Sequence, residues 1–142
     1  MTVRRASQAD IPALVRMASV EHSRSRFAAQ PFDQNRVAIS FDNVARGLTS
    51  AVFISERGFI AGMVQPNLMN RFSTAYELAW YAEDGKGLQL LRTFIAWARS
   101  MRAVEVIAHN YAGIADPARF TRAMKRAGFA ELGTSYALTL EN

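Results

Sequence analysis

Cysteine is absent from the sequence of 142 residues. Its absence excludes disulfide bonds, thiolate metal sites and cysteine nucleophiles, and makes a cytoplasmic location the expectation. Long apolar runs are absent as well, so we predict no transmembrane helix and no membrane partner. The first ten residues, MTVRRASQAD, show no apolar signal-peptide region, which agrees with the expected location.

Lysine is scarce. Lys86 and Lys125 are the only lysines among 17 basic residues, and the others are arginines. The chain has 12 acidic residues, a formal charge of +5 and a pI of about 10.2. A basic surface attracts anions such as nucleic acids, acidic lipids or phosphorylated cofactors. The arginines are scattered along the chain, which favours a small anionic ligand over a nucleic-acid-binding tail.

Half of the residues are hydrophobic and no repeat or linker interrupts them, so one domain is predicted over residues 1–142. Hydrophobic periodicity predicts strands over residues 2–7, 51–55, 59–65, 74–82, 104–108 and 134–140. Capping residues and 3.6-residue periodicity predict helices after Asp10 and over residues 33–46, 88–101 and 116–126. The order β-α-α-β-β-β-α-β-α-β indicates an α/β (α+β) domain. Its sheet is mixed and mostly antiparallel, with six to seven strands and about four helices on its faces.

Residue patterns of several other enzyme classes are missing. The chain contains no GxSxG motif of serine hydrolases, and no HExxH motif or histidine–carboxylate cluster, so no metal site is predicted. Lys86 is followed by Gly87 rather than by Ser or Thr, which disfavours a nucleotide-binding P-loop. Leu90 occupies the third glycine place of a GxGxxG dinucleotide fingerprint.

Four short segments carry a resemblance to a known superfamily. They are EHSRSRFAAQPFD (21–33), YELAWYAE (76–83), LLRTFIAWA (90–98) and KRAGF (125–129). In this order and spacing the chain resembles the GNAT superfamily of N-acetyltransferases, in particular the short acetyltransferase-like proteins of phages and prophages. The resemblance spans nearly the whole chain. It implies the GNAT fold and transfer of an acetyl group from acetyl-coenzyme A to an amine, in the bacterial host cell if the protein is phage-encoded.

The stretch YAEDGKGLQLL, residues 81–91, lies between a predicted strand and a predicted helix. In the resembled superfamily this loop follows a Gln/Arg-x-x-Gly-x-Gly/Ala pattern and binds the pyrophosphate of acetyl-coenzyme A. Gly85 and Gly87 take the glycine places, whereas Ala82 takes the Gln/Arg place. Glycines allow an anion to approach the backbone, and a helix N-terminus offers unpaired N–H groups with a partial positive charge.

The resemblance therefore implies a cofactor site on the strand end, the loop, the helix start and the residue after the fifth strand. Its predicted members are Ala79, Trp80, Tyr81, Gly85, Lys86, Gly87, Leu88, Gln89 and Asn110. An ordinary strand-to-helix turn at Gly85–Gly87 is the alternative. Glu83 and Asp84 disfavour a bound pyrophosphate unless their carboxylates point away from it.

The resemblance also implies catalytic residues. Glu77, on the fourth strand between apolar neighbours, takes the place of the general base, where burial would raise its pKa. A rim carboxylate paired with an arginine is the alternative. The tyrosine that commonly protonates the leaving thiolate is replaced by Met124, so Tyr111 and Tyr136 are the candidate acids.

The segment between the first two helices usually covers the acceptor in the resembled superfamily. His22, Arg26 and Phe27, together with Glu77, are therefore predicted to bind a small-molecule or protein amine, against the alternative of an ordinary solvated loop. His109 is either a proton relay or an ordinary strand-end residue. The sequence leaves open whether the protein forms a homodimer.

Two other functions stay open. A catalytically degenerate domain of the same fold, with a binding or virion-associated role, is favoured by Ala82 and Met124 at the two places where the superfamily pattern is broken. Nucleic-acid binding would use basic residues of the last two predicted helices, namely Arg99, Arg102, Arg119, Arg122, Lys125 and Arg126. Three of them, Arg119, Arg122 and Arg126, form one basic stripe, which a solvated helix face explains more simply.

Overall fold

The structure, a computed structural model, describes residues 2–110 and 116–140. In these ranges five strands in the order β1-β2-β3-β4-β5 form one sheet, which four α-helices accompany. The strands are β1 (Arg4–Arg5), β2 (Ser50–Ser55), β3 (Gly58–Pro66), β4 (Ser73–Ala82) and β5 (Ala103–Ile107). The helices are α1 (Ile11–Arg24), α2 (Gln34–Arg46), α3 (Gly87–Ser100) and α4 (Pro117–Arg126).

Local sequence signals set the boundaries of α2 and α4 as predicted, whereas Asp10, expected to cap the first helix, makes no cap hydrogen bond and accepts from the Ser7 N–H and the Arg4 guanidinium instead. The Asp33 carboxylate caps α2 by accepting a hydrogen bond of 3.0 Å from the Arg36 backbone N–H. Asp116 caps α4 in the same way, through the Ala118 N–H at 3.2 Å. Gly128 follows α4 with a φ of 94°, a left-handed conformation that favours glycine. None of the helices in the described ranges combines the length and apolar character needed to cross a membrane.

Side chains of the strands alternate between two cores, one on each face of the sheet. On the α3 face, buried residues of the strands and of α3 and α4 pack together: Ala51, Phe53, Ile60, Val64, Ala75, Leu90, Leu91, Phe94, Trp97, Ala98 and Met124. On the α1–α2 face the core consists of Ala6, Leu14, Met17, Phe41, Val52, Ile54, Phe59, Ala61 and Tyr81. The sheet is therefore covered on both faces, as the predicted order of elements requires.

A β-bulge interrupts the antiparallel pairing of β3 with β4. Ala61 pairs with Ala79 and Gly62 pairs with Glu77, so Leu78 has no partner in the register. An extra residue of this kind bends its strand and changes the side to which the following side chains point.

The bulge exchanges the two faces of β4 within the strand. Ala75 belongs to the core on the α3 face, whereas Ala79 packs against the core on the α1–α2 face and Tyr81 is part of it. In a regular strand these three odd-numbered residues would share one face. The half of β4 after Leu78 therefore presents a different set of side chains from the one that alternation predicts.

The parallel pairing of β4 with β5 is short. It runs from Ser73 opposite Ala103 to Tyr76 opposite Ile107. β4 continues for six residues beyond Tyr76, to Ala82, while β5 ends at Ile107. The sheet is thus open between the end of β4 and the chain that follows β5.

The predicted sixth strand over residues 134–140 is wrong, and the sheet has five strands rather than six to seven. Tyr136, Leu138 and Leu140 alternate as a strand would, yet they are exposed and their backbone joins no ladder in the described ranges. Alternation describes a side-chain pattern, whereas a strand also needs a neighbour that accepts its backbone hydrogen bonds. The first strand is also shorter than predicted, at Arg4–Arg5 instead of residues 2–7.

We expect Gly62→Ala to lower the free energy of unfolding by about 1–3 kcal/mol, because overpacking forces shifts of backbone and side chains. A Cβ at Gly62 would lie 2.6 Å from the Tyr76 carbonyl oxygen and against the Phe94 ring. Gly87→Ala is the matched comparison, since the nearest atoms there belong to the Trp80 indole, at 3.0 Å and beyond. Urea unfolding followed by circular dichroism measures both variants, and an equal or smaller loss for Gly62→Ala would contradict this packing.

Candidate active site

A cavity of about 600 Å³ lies at the opening between β4 and β5. Its walls are the C-terminal end of α1 with the turn that follows, the end of β4, the glycine loop, the residues after β5, and Phe120 of α4. The volume falls in the range of small-molecule sites, which are usually concave and carry a few polar groups.

The cavity brings together ten of the predicted site residues. They are His22, Arg26, Phe27, Glu77, Ala79, Trp80, Tyr81, Gly85, Gly87 and Asn110. Lys86, Leu88 and Gln89 lie beside it, at the N-cap and in the first turn of α3.

Glu77 is the buried carboxylate of the cavity, with 3% of its surface exposed. Its Oε1 accepts a hydrogen bond of 3.2 Å from the backbone N–H of His109 and lies 3.3 Å from His109 Nδ1. The partner of Glu77 is therefore a histidine from the other side of the opening, in place of the arginine of the alternative interpretation. Both contacts use Oε1, so neither engages the second carboxylate oxygen.

The contact with Glu77 changes the pKa of His109. The hydrogen bond to Glu77 raises the pKa of the His109 imidazole above its usual value, against the opposing effect of partial burial. A histidine in contact with a buried carboxylate can accept and release a proton near neutral pH, which is the requirement for a proton relay.

Glu21, near the C-terminal end of α1, also lines the cavity; it belongs to the segment 21–33 that was expected to cover the acceptor, but it was not among the predicted site residues. Burial raises the pKa of its carboxyl to about 7, and repulsion from the Glu77 carboxylate adds to the effect. The only signal in the sequence was its position directly before His22. The cavity that it lines is formed together with β4, which lies more than fifty residues further along the chain.

The end of α1 also places aromatic and basic groups at the cavity. The Arg24 guanidinium donates a hydrogen bond of 3.3 Å to the Tyr81 hydroxyl. The Arg26 guanidinium lies 4.3 Å from the centre of the Phe27 ring, in the geometry of a cation–π contact. The two arginines thus have aromatic partners, while the two glutamates face the cavity.

The glycine loop forms a tight entry to α3. Gly85 has a φ of 72°, and a Cβ added there would meet no atom within 4 Å, so the loop surface is open at this point. The Asp84 carboxylate accepts a hydrogen bond of 3.0 Å from the Lys86 backbone N–H. The carbonyl of Gly87 accepts one of 3.1 Å from the Trp80 indole N–H.

Glu83 points away from the loop. Its carboxylate lies 2.9 Å from Arg16 Nη1 on α1 and 3.7 Å from Arg57 Nε in the turn between β2 and β3. Of the two acidic residues that disfavour a pyrophosphate, one is therefore paired with arginines and the other caps the loop backbone.

The predicted candidates for the leaving-group acid do not line the cavity in the described ranges. Tyr111 lies outside the described residues. Tyr136 has 92% of its surface exposed and is not part of the cavity wall. Met124 is buried in the core on the α3 face, where an apolar side chain packs against Phe94 and its neighbours.

Comparisons with known proteins agree with the predicted fold. No protein-family model and no curated protein matches the chain. Among solved structures, an integron cassette protein from the mobile metagenome of Cole Harbour Salt Marsh is 18% identical, with a TM-score of 0.75 over 97% of this chain and 89% of that one. An acetyltransferase of Trypanosoma brucei is 16% identical, with a TM-score of 0.70 over 98% and 99% of the two chains.

A ribosomal-protein-alanine N-acetyltransferase from Brucella melitensis has the same TM-score of 0.70 at 9% identity, covering 99% of this chain and all of that one. At sequence identities this low, the structural similarity shows a shared fold and does not assign an activity to this chain. The chain has the mixed α/β fold of these acetyltransferases, as the resemblance to the GNAT superfamily implies. The narrower resemblance to phage and prophage proteins finds no support in these structures.

We expect Glu21→Gln to gain stability over the parent protein as pH rises. A carboxyl with a raised pKa in the folded state favours folding below the pKa of the unfolded chain, near 4.5, and that contribution is lost as pH rises through about 7. Glutamine does not ionise, so the variant loses no stability at this position as pH rises. After allowance for partial exposure, the difference in unfolding free energy between variant and parent should grow by about 1–2 kcal/mol between pH 5 and pH 8.

Urea titrations of both proteins at the two pH values measure this change. His109 titrates in the same window but is present in both proteins, so its contribution cancels to first order. A difference that stays constant between pH 5 and pH 8 would show that Glu21 titrates normally.

Proposed function

We propose that this protein is an acetyl-coenzyme A-dependent N-acyltransferase that acetylates an amine by direct attack in a ternary complex. The observation that carries the proposal is the opening between β4 and β5, where the buried Glu77–His109 pair faces a cavity bounded by the start of α3. The names of the structural neighbours support an acyl-transfer reaction, since two of those above are acetyltransferases.

The residues around the opening fit the cofactor. The bulge at Leu78 frees backbone groups at the edge of the cavity, where an extended pantetheine arm can hydrogen-bond. The open surface at Gly85 and the N–H groups that begin α3 suit the pyrophosphate, and Lys86 adds a positive charge. Asn110, which lines the same cavity, offers an amide to the arm.

The chain's own part in the reaction is to position the amine and to take its protons. Glu77, held by His109, is the base that removes a proton from the ammonium group of the acceptor. Acetyl-coenzyme A supplies the acetyl group: its C–S bond breaks as the C–N bond forms, and the departing sulfur takes up one of the two protons that the ammonium loses. His109 passes the other proton to solvent.

The alternative is a catalytically degenerate domain of the same fold with a binding or virion-associated role. Two observations favour it. The Asp84 carboxylate occupies the Lys86 N–H that a phosphate would use, and Met124 is part of the core where the acid tyrosine is expected. A coenzyme A thiolate can leave without an acid, so the second observation weighs less than the first.

Lys86→Glu should abolish binding of acetyl-coenzyme A, because it reverses the charge beside the proposed pyrophosphate site. The parent protein should gain roughly 2.7 kcal/mol of stability when the cofactor is present at a hundred times its dissociation constant. Lys125→Glu is the matched control, since it changes the only other lysine, which is exposed on α4 and outside the cavity wall.

Thermal unfolding with and without acetyl-coenzyme A measures these effects. A stabilised parent and Lys125→Glu variant, with no gain for Lys86→Glu, is the expected result. No stabilisation of the parent at millimolar cofactor would overturn the enzyme proposal in favour of the degenerate domain.

Glu77→Gln should lower turnover about 100-fold or more while leaving cofactor binding intact, because general-base catalysis contributes at least that factor. A panel of amines incubated with acetyl-coenzyme A and analysed by mass spectrometry identifies an acceptor, and the rate of its acetylation is then compared between the proteins. Unchanged turnover in the variant would remove Glu77 as the base.

A further inference from the structure

Glu83 joins the start of the glycine loop to two other parts of the chain. Its backbone N–H donates a hydrogen bond of 2.8 Å to the Arg57 carbonyl, in the turn between β2 and β3. Its carboxylate lies 2.9 Å from Arg16 Nη1 on α1 and 3.7 Å from Arg57 Nε. The two contacts use different carboxylate oxygens, so Oε1 faces one arginine and Oε2 faces the other.

The turn between β2 and β3 fits closely against the end of β4. Gly58 pairs with Ala82 at the last position of the ladder between β3 and β4. A Cβ at Gly58 would lie 2.7 Å from the Tyr81 carbonyl oxygen and 2.9 Å from a methyl carbon of Leu90, so glycine permits this approach. The backbone at Glu83 is therefore anchored to the turn independently of the side-chain ion pairs.

The ion pairs of Glu83 are too exposed to contribute much to the stability of the fold. The side chains of Arg16 and Arg57 are 56% and 58% exposed, and that of Glu83 is 20% exposed. Water screens such pairs, and ordering two long side chains offsets much of their attraction. What the arginines determine is the direction and the neutralisation of the Glu83 charge.

That charge is close enough to the loop surface to act on an anion there. Gly85 follows Glu83 by two residues, and a chain spans at most about 3.6 Å per residue, so their Cα atoms lie within about 7 Å. The surface at Gly85 is open. Exposed charges interact over a Debye length of about 10 Å at 0.1 M salt, so an unpaired Glu83 carboxylate would repel an anion at Gly85.

We propose that Arg16 and Arg57 are positioning residues that set the affinity for the anionic cofactor by holding the Glu83 carboxylate off the glycine loop. The inference rests on the acyltransferase function proposed above, because it takes the pyrophosphate of acetyl-coenzyme A as the anion at Gly85. Neither arginine is part of the cavity wall in the described ranges. Each acts on the cofactor through Glu83.

Direct attraction between the arginines and the cofactor is the competing explanation. The two explanations differ in how Glu83 and the arginines combine. If the arginines act through Glu83, removal of its charge matters only when the arginines are absent. If they attract the cofactor directly, removal of that charge has the same effect with and without them, because the contributions of independent groups add.

The experiment is a double-mutant cycle on the full-length protein. The double variant Arg16→Gln/Arg57→Gln removes both partners of Glu83, and Glu83→Gln is made in the parent and in the double variant. Glu105→Gln in the double variant is the matched control, since it restores the same charge at an exposed position of β5 outside the cavity wall. Isothermal titration calorimetry measures the dissociation constant of acetyl-coenzyme A at about 10 mM salt, where the Debye length is about 30 Å.

We expect the double variant to raise the dissociation constant about fivefold, the effect of one carboxylate on two phosphate charges about 8 Å away in water. Glu83→Gln should reverse most of this increase in the double variant and change the parent by about twofold or less. Glu105→Gln should leave the double variant as it is. At about 1 M salt, where the Debye length is about 3 Å, the differences should vanish.

The Trp80 indole N–H separates a change of charge from a change of loop shape, because it donates to the Gly87 carbonyl at 3.1 Å. Its NMR signal in the free proteins should be the same in the parent and the double variant. A displaced signal that Glu83→Gln does not restore would show that the arginines shape the loop, and would overturn the inference.

Equal effects of Glu83→Gln in the two backgrounds, or recovery with Glu105→Gln, would also overturn it. The outcome is separable from that of the acyltransferase proposal. Binding of acetyl-coenzyme A with equal affinity to the parent and the double variant refutes the role of the arginines alone. No binding to the parent refutes the enzyme and this inference together.

Discussion

The contact between the Glu77 carboxylate and His109 is the constraint on which the site depends. The ladder between β4 and β5 ends at Tyr76, and beyond it the Glu77 carboxylate links the two sides of the opening through the backbone N–H and the ring of His109. A carboxylate with 3% exposure is costly unless it is hydrogen-bonded, so the contact both satisfies Glu77 and fixes the chain after β5. The cavity exists because the sheet opens there, and its chemistry follows from the group that spans the opening.

Charge is distributed unevenly around the cavity. On the wall formed by α1 and β4 lie Glu21, whose carboxyl has a pKa raised to about 7 by burial, and Glu77, which contacts His109. At the loop end, Glu83 is held away by Arg16 and Arg57, which leaves the backbone N–H groups and Lys86 to face an anion. Under the proposed function, this loop end would hold the pyrophosphate. The Asp84 hydrogen bond to the loop is the feature that opposes this arrangement, since a phosphate has to displace it.

Much of the fold could be predicted because its signals are local. Caps such as Asp33 and Asp116, the apolar face of each helix and the turn between β2 and β3 lie within a few residues of the elements they define. The false sixth strand has the right side-chain pattern but no pairing partner, which no local pattern contains. Glu21 was not among the predicted site residues because the cavity that it lines is formed together with β4, far along the chain. The resemblance to acetyltransferases supplied most of the cavity wall, since spacing alone does not bring α1, β4 and the chain after β5 together.

The extra residue in β4 serves the cavity rather than the packing of the strand. Leu78 is half exposed, so exchange of its side chain removes little packing. Its deletion would make Glu77 and Ala79 neighbours opposite Gly62 and Ala61, and regular alternation would leave Trp80 and Tyr81 on the faces that they occupy now. What the deletion would remove is the bend that the bulge places at the edge of the cavity. Loss of this one residue would therefore change the shape of the cavity while both cores keep their side chains.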